Sequence, residues 1–408
     1  MKKKICIVAE YMYCGGTEKS LLALLPFFDR DRYEITLLLL AKKGDLLQEL
    51  SNDINVIEIP LPDDESDELL YGRKEALKKV IEKRNILQTC KKTIRGINMM
   101  LHTKDGCGRR LWYYKNIDNK IKKYPEKFDV VIDYMGYGLF NTYYAAYKVE
   151  GKTKISWIHF EPDEVMPDFC VFSSVLKEYQ YIMCVSEQSR QQMKRMMPEL
   201  SKQFCLFYNI VDVEEIKRKA MEYSIAKKKE QINLVSVGRL DPQKGFDIGI
   251  KVVGKLREHG YPIKWYIVGE GWQREELEKL IRESVDNIDC IELVGQKINP
   301  YPYIDMCDIY FQPSRHEGYC IALAEARAFC KPIVVTDFAG AKEQLIDGKT
   351  GIIVPCDEES LFEALKRVIE DKKLQEELIC NLKKKDKDKL EQIRFLEEVI
   401  WNEEESRI

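Results

Sequence analysis

The 408-residue sequence carries 13 cysteines but no Cys-x-x-Cys pair, and its four histidines form no cluster with them. An odd number of thiols, scattered from Cys6 to Cys380, argues against a disulfide framework, and zinc-ligand spacing is missing. The cysteines read as small core residues. No run approaches the roughly 18 apolar residues that a spanning helix requires. Net charge is small as well: 65 basic residues against 68 acidic ones leave −3. That argues against a protein that coats nucleic acid over its whole surface. Low complexity is absent too. With 45% hydrophobic residues, 22 Gly and 14 Pro, the composition supports packed cores and not a collagenous or disordered chain. Met1-Lys2-Lys3-Lys4 could open a signal peptide, but Glu10 ends the apolar stretch after five residues, too few for a hydrophobic region. The segment reads as a buried first strand, and the protein as cytoplasmic.

What the sequence does contain is a rhythm. Short apolar runs stand at 5–9, 35–40, 56–59, 130–133, 155–158, 182–185 and 204–207, and again at 234–237, 265–268, 291–294, 309–312, 333–336 and 352–354. Continuous Val/Ile/Leu runs of this length suit parallel strands covered on both faces. Helical patterns separate them at 16–28, 246–258, 274–283, 321–329 and 359–369. Alternating β and α in both halves predicts two doubly wound, Rossmann-like α/β domains facing across a cleft. The expected division is 1–209, 210–385 and a charged terminal helix at 386–408. Within that helix Leu390, Ile393, Leu396, Val399 and Ile400 recur at helical spacing, with the docking site open. A charged helix is expected over 217–230.

Ligands in such folds bind where glycine-rich turns leave the carboxyl ends of strands. After the run 234–237 come Gly238, Arg239 and, beyond Asp241-Pro242-Gln243, Lys244 and Gly245. Two cations beside a helix start form a diphosphate clamp; the alternative is two solvated charges on a loop. Gly269-Glu270-Gly271 follows the next strand and is by itself only a tight turn. The most informative segment is 313–326, where Glu317 and Glu325 stand eight residues apart. Glu325 sits in an apolar helix, where an unpaired charge is costly. A sugar or ribose diol would give it a partner, and so would a buried salt bridge.

With these motifs in place the chain resembles glycosyltransferase family 4, retaining enzymes of the GT-B fold that use activated sugar donors. The E-x7-E pattern is Glu317 to Glu325, the basic clamp is Arg239 and Lys244, and the G-x-G turn is Gly269 and Gly271. Gly15-Gly16-Thr17-Glu18 is similar to the family's N-terminal glycine turn, and Trp157-Ile158-His159 to the strand that presents a histidine. Val185-Ser186 and Asn209-Ile210-Val211-Asp212 match the approach to the hinge. The resemblance implies that Arg239 and Lys244, beside Gly238, hold the donor diphosphate and stabilise the leaving group. It implies that Glu325 takes the ribose hydroxyls, and that Glu317 with Gly318 and the backbone N–H groups of Tyr319, Cys320 and Ile321 holds the sugar and phosphate. Gln296 and Ile298 would border the base. Gly15 and Gly16 would let the acceptor approach, and His159 would contact the transferred sugar. Retention is then expected by front-face attack, with the donor phosphate helping to take the acceptor's proton. No cofactor and no metal are implied: the Asp-x-Asp pairs at Asp29–Asp31 and Asp386–Asp388 lie in charged surface stretches. Cys320 departs from the Gly or Pro common in relatives, and Lys342 stands where a smaller residue is usual.

Residues 73–127 break the strand rhythm and contain 17 Lys/Arg against five Asp/Glu. Ile86, Cys90, Ile94, Ile97 and Leu101 follow helical spacing there, with Arg84, Lys91 and Arg95 on another face. Trp112 follows Arg109 and Arg110. Basic charge beside apolar groups suits an interfacial surface, so Lys91, Lys92, Arg95, Arg109, Arg110 and Trp112 are expected to face an acceptor or anionic membrane at the inner face of the cell membrane. The alternative is a helical insert packed on the sheet with a solvated basic face. The expected activity is sugar transfer from a nucleotide-sugar to a glycan or lipid-linked acceptor in cell-surface polysaccharide biosynthesis, with no nucleic-acid partner. The competing reading is a non-catalytic glycosyltransferase-like partner or glycan-binding subunit.

Overall fold

The computed structural model describes residues 2–136, 138–162, 166–227, 230–284, 288–383 and 388–401. The chain divides into one unit of Met1–Tyr208 with Ile393–Ile408, and a second of Asn209–Gln392. Each of the thirteen apolar runs falls on a strand. In the first unit these are β1 (Lys3–Ala9), β2 (Tyr33–Leu39), β3 (Asn55–Glu58), β4 (Lys127–Asp133), β5 (Glu150–Ile158), β6 (Tyr181–Cys184) and β7 (Phe204–Leu206). They form a sheet in the order β3-β2-β1-β4-β5-β6-β7, parallel throughout. In the second unit β8 (Ile232–Val237), β9 (Ile263–Val268), β10 (Ile291–Gly295), β11 (Ile309–Gln312), β12 (Ile333–Thr336) and β13 (Ile352–Val354) follow the order β10-β9-β8-β11-β12-β13, also parallel. Ile5, Cys6, Ile7 and Val8 are wholly buried, as a strand covered on both faces requires.

Both sheets reverse their direction of growth once, between β1 and β4 and between β8 and β11. At such a reversal the loops leaving two adjacent strands run to opposite faces, and a crevice opens beyond their carboxyl ends. That geometry decides where each unit can hold a ligand.

The helix expected over 217–230 runs instead over Val213–Ala220. Asp212 sets its start by accepting a hydrogen bond from Glu215 N at 3.2 Å. The terminal helix Asp388–Trp401 belongs to the first unit from Ile393 onward. Leu396, Val399 and Ile400 are buried, Lys3 Nζ donates to the Ile400 carbonyl at 3.0 Å, and Trp401 Nε1 donates to Tyr33 Oη at 2.6 Å. Of the second Asp-x-Asp pair, Asp386 and the Asp388 side chain lie outside the described residues, and Asp29 and Asp31 occupy an exposed turn.

After α1 (Gly16–Leu24), the helices α2 (Ser66–Tyr71), α3 (Arg73–Glu82), α4 (Ile86–His102) and α5 (Gly106–Ile117) fill the interval between β3 and β4. Here two of the expected surface cations are inside. Lys92 is buried, 3.0 Å from Glu68 and 3.4 Å from Glu65. Arg95 reaches the same carboxylates at 2.6 and 2.5 Å, and its guanidinium lies 4.8 Å from the Tyr113 ring centroid. Burial would raise the Glu65 pKa, but the bonds from Arg95 and Lys120 outweigh it and hold the carboxyl at about 2. These cations are consumed by internal carboxylates and cannot line a membrane surface. Arg110 is also turned inward, with Nη2 donating to Cys107 Sγ at 3.1 Å, and Trp112 is half-buried, stacked on His102. Lys91 and Arg109 remain exposed.

Candidate active site

In the second unit, the loops after β8 and β11 flank the reversal point. The β8 turn carries Gly238, Arg239 and a 3-10 turn over Pro242–Lys244 that ends at Gly245. Gly245 has φ +65°, and a Cβ there would sit 2.0 Å from the Pro313 carbonyl oxygen. Glycine is thus what lets the β8 turn and the β11 loop touch. Arg315 locks the contact, donating to Asp247 at 2.8 and 2.7 Å and to the Pro242 carbonyl at 2.7 Å. The G-x-G turn has a packing role of the same kind. A Cβ on Gly269 would lie 1.8 Å from the Gly238 carbonyl oxygen, so this glycine admits the neighbouring turn.

That locking brings Lys244 and Glu317 together. Lys244 Nζ donates to Glu317 Oε1 at 2.5 Å, and both side chains are buried. Burial would lower the Lys244 pKa, but the Glu317 charge more than offsets it and keeps the amine protonated. Glu317 is itself oriented by a chain of donors running back to β11. Tyr310 Oη donates to Gln312 at 2.8 Å, Gln312 Nε2 to Ser314 at 2.8 Å, and Ser314 Oγ to Glu317 at 2.9 Å. Arg239 does not join this group. Its side chain is 72% exposed and lies 3.2 Å from Asp241.

Gly318, Tyr319, Cys320 and Ile321 follow Glu317 into the helix Ile321–Ala328. Cys320 takes the left-handed conformation, φ 60° and ψ 79°, which costs a side-chain-bearing residue about 1–2 kcal/mol. Packing holds it there. The Tyr319 carbonyl accepts from Gln344 Nε2, and a Cβ on Gly340 would lie 2.6 Å from that same oxygen. Glu325 is buried in the helix and accepts from Tyr301 Oη at 2.8 Å. Gln296, exposed, and Ile298, half-buried, lie on the loop after β10.

In the first unit the loop after β1 carries Gly15 and Gly16 at the start of α1. Ser20 Oγ on α1 is 2.6 Å from Tyr134 Oη, and the Tyr134 carbonyl is 2.8 Å from His159 Nε2. A carbonyl only accepts, so Nε2 carries the proton and Nδ1 offers a lone pair. Burial lowers the His159 pKa from 6.5 to about 3, against the smaller effect of the Tyr134 hydrogen bond. The ring is therefore a neutral acceptor at Nδ1. Nearby, Asp133 ends β4 and accepts from Asn141 at 2.7 Å and Ser156 at 3.0 Å, with burial raising its pKa to about 6.

Sequence reasoning missed Tyr301, Ser314, Gln312 and Tyr134. Ser314 and Gln312 alternate along β11 and its exit, a period-2 polar signal in an apolar strand. Nothing in the sequence couples Tyr301 to Glu325, which stands 24 residues away.

Residues 217–385 match the model of the family described as glycosyl transferases group 1. Over 171 residues the chain is 37% identical to an N-acetylgalactosamine-N,N'-diacetylbacillosaminyl-diphospho-undecaprenol 4-alpha-N-acetylgalactosaminyltransferase of Campylobacter jejuni, covering 41% of this chain and 45% of that protein. A capsular polysaccharide biosynthesis glycosyltransferase of Staphylococcus aureus is 27% identical over 175 residues, 42% of this chain and 44% of the relative. The chain thus spans less than half the length of these curated relatives. The likeness of fold extends over nearly the whole chain. HepE of Anabaena, solved with UDP and glucose, superposes with a TM-score of 0.70 at 16% identity, covering 98% of this chain and 99% of HepE. WaaG, a glycosyltransferase involved in lipopolysaccharide biosynthesis, gives 0.63 at 14% identity over 98% and 99%. The two parallel-sheet units are those of the GT-B glycosyltransferase structures.

Proposed function

We propose that this protein is a retaining glycosyltransferase of family 4 that transfers a sugar from a nucleotide-sugar to a glycan or lipid-linked saccharide in cell-surface polysaccharide biosynthesis, working at the inner face of the cell membrane. The observation that carries the reading is the Lys244–Glu317 pair at the reversal point of the second sheet, with Glu325 buried in the helix that follows Glu317. That point lies inside the segment that matches glycosyl transferases group 1.

Lys244 supplies a preoriented cation for a donor diphosphate, and stabilises the negative charge that develops as the glycosidic bond to phosphate lengthens. Arg239, free to swing from the surface, adds the second charge. Glu317 accepts from sugar hydroxyls with the oxygen not engaged by Lys244 and Ser314. Glu325 has a second oxygen for ribose hydroxyls. In the first unit, neutral His159 keeps a lone pair at Nδ1, the acceptor that a contact with a sugar hydroxyl requires. With a pKa of about 3 it is a poor base, which fits retention by front-face attack with the donor phosphate taking the acceptor's proton. The Campylobacter relative's lipid-diphosphate acceptor and the UDP of HepE suggest which acceptors and donors to test first.

The test is donor hydrolysis and thermal stabilisation across UDP-, GDP- and ADP-sugars, then product NMR. One donor class should stabilise and be hydrolysed, and the product should keep the donor's anomeric configuration. Binding of a nucleoside diphosphate without hydrolysis or transfer would favour the non-catalytic partner, and inversion would remove the retaining assignment.

A further inference from the structure

Helix α4 is built inside out. A helix on a globular protein ordinarily turns its apolar stripe to the core and its charges to water. In α4 the side against the protein holds Lys92 and Arg95, paired with Glu65 and Glu68, and Gly96, which leaves room for the Arg73 guanidinium. Arg73 in turn donates to the Lys92 carbonyl at 3.0 Å. Ile86, Leu87, Ile94, Ile97, Met100 and Leu101 face outward, from 54% exposed at Ile97 to 78% at Ile86. At 3.6 residues per turn they share one arc of the helix, with exposed Cys90 at its centre. Single exposed apolar residues are ordinary, but a continuous stripe of six along a surface helix marks an interaction site.

We propose that α4 is an interfacial helix that lies in the plane of an anionic lipid surface and inserts this aliphatic face. The proposal rests on the reading of the acceptor as membrane-held, and adds the surface and the force that bring the enzyme there. The charges around the stripe select lipid as the occupant. Lys83, Arg84, Lys91, Lys104 and Arg109 are all exposed on α4 and its flanks. A second copy docking symmetrically through the same face would press these cations against their own counterparts, whereas anionic headgroups complement them. At 17 residues the helix is about 25 Å long, and no described helix is long and apolar enough to cross a membrane. The Glu65–Glu68 network anchors α4 from behind without using its apolar face. Insertion by aliphatic groups is therefore the main attraction and the cations the lesser one, the reverse of what a basic segment suggests.

The test is co-sedimentation of the full chain with vesicles of phosphatidylcholine alone and of phosphatidylcholine with phosphatidylglycerol, with donor hydrolysis read on the same preparations. The wild type should sediment with both kinds of vesicle, and to a greater extent with the mixed ones. Ile94→Glu with Ile97→Glu should lower the bound fraction about tenfold or more, and Lys91→Glu with Lys104→Glu should lower it less. Both pairs are exposed, so hydrolysis and melting temperature should hold. Ile86→Ser with Leu101→Ser gives a second, uncharged version of the aliphatic change. The proposal is overturned if the wild type ignores mixed vesicles, if both aliphatic pairs bind as the wild type does, or if the wild type is a dimer that those pairs convert to monomer. Vesicle binding without hydrolysis of any donor would remove the transferase reading and leave this surface standing; the opposite result would do the reverse.

Discussion

Tyr301 donates its phenol hydroxyl to the buried Glu325 carboxylate at 2.8 Å, and among the described residues no ion pair to that carboxylate is found, so a neutral donor holds it. That separates stability from ligand binding at this position. In Glu325→Gln the carboxamide oxygen still accepts from Tyr301, and the melting temperature should change little. Hydrogen bonds to a charged group contribute about 1.5–3 kcal/mol, so affinity for the nucleotide-sugar should fall about tenfold or more by calorimetry. Tyr301→Phe strips the buried carboxylate of its donor and should cost about 1–3 kcal/mol. A large stability loss in Glu325→Gln with donor affinity intact would make the residue structural.

The two clamp cations predict different outcomes because one is buried and the other is not. Arg239→Ala removes an exposed side chain, so stability should hold while turnover falls about 10²-fold, the scale of losing one group that stabilises developing charge. Lys244→Ala should lower turnover at least as far, but it also leaves Glu317 buried without its cation, at a cost of about 3 kcal/mol or more. Adding Glu317→Gln should restore much of that stability and none of the turnover. Near-wild-type turnover in Arg239→Ala would take Arg239 out of the clamp.

The fold was legible because buried parallel strands must be apolar on both faces: 5–9 and 309–312 could be read as strands with no knowledge of their neighbours. The acidic motif was legible because Glu317 and Glu325 are local in sequence. What sequence could not supply is which way a side chain turns. Lys92 and Arg95 look like surface cations until Glu65 and Glu68, a whole helix earlier, are placed beneath them. Tyr301 and Glu325 meet only because separate connections of the sheet bring their helices together. Gly269 was legible as part of a tight turn, but the packing of the Gly238 carbonyl against it was not.

His159 should leave no mark on the pH dependence of turnover between about pH 5.5 and 8. Its pKa of about 3 keeps the ring neutral across that range. It should appear instead in stability. The unfolded ring takes a proton near pH 6.5 and the folded one does not, so its contribution is full above about pH 6.5 and declines as pH falls toward 3. Denaturant melts of wild type and His159→Gln should therefore diverge at neutral pH and converge on acidification. A turnover profile whose acidic limb moves with His159→Gln would mean that the ring titrates during the reaction.

Glu65 predicts a second acid-sensitive window, centred on the α2–α4 network. Its folded pKa of about 2 lies below its ordinary 4.5, so the folded state favours the ionised form. The stability this contributes is fully present above about pH 4.5 and drains away as pH falls toward 2. Glu65→Gln leaves Lys92 and Arg95 to share Glu68 alone, so near pH 6 the variant should be less stable by about 3 kcal/mol. The gap from wild type should narrow steadily once protonation of Glu65 begins to do in the wild type what the substitution does in the variant. Urea melts followed by circular dichroism from about pH 6 down to pH 3 would measure it. A gap that stays constant across that range would place the energy in packing around the side chain and not in its charge. In that case α4 would be held outward by shape and would keep its position in acid.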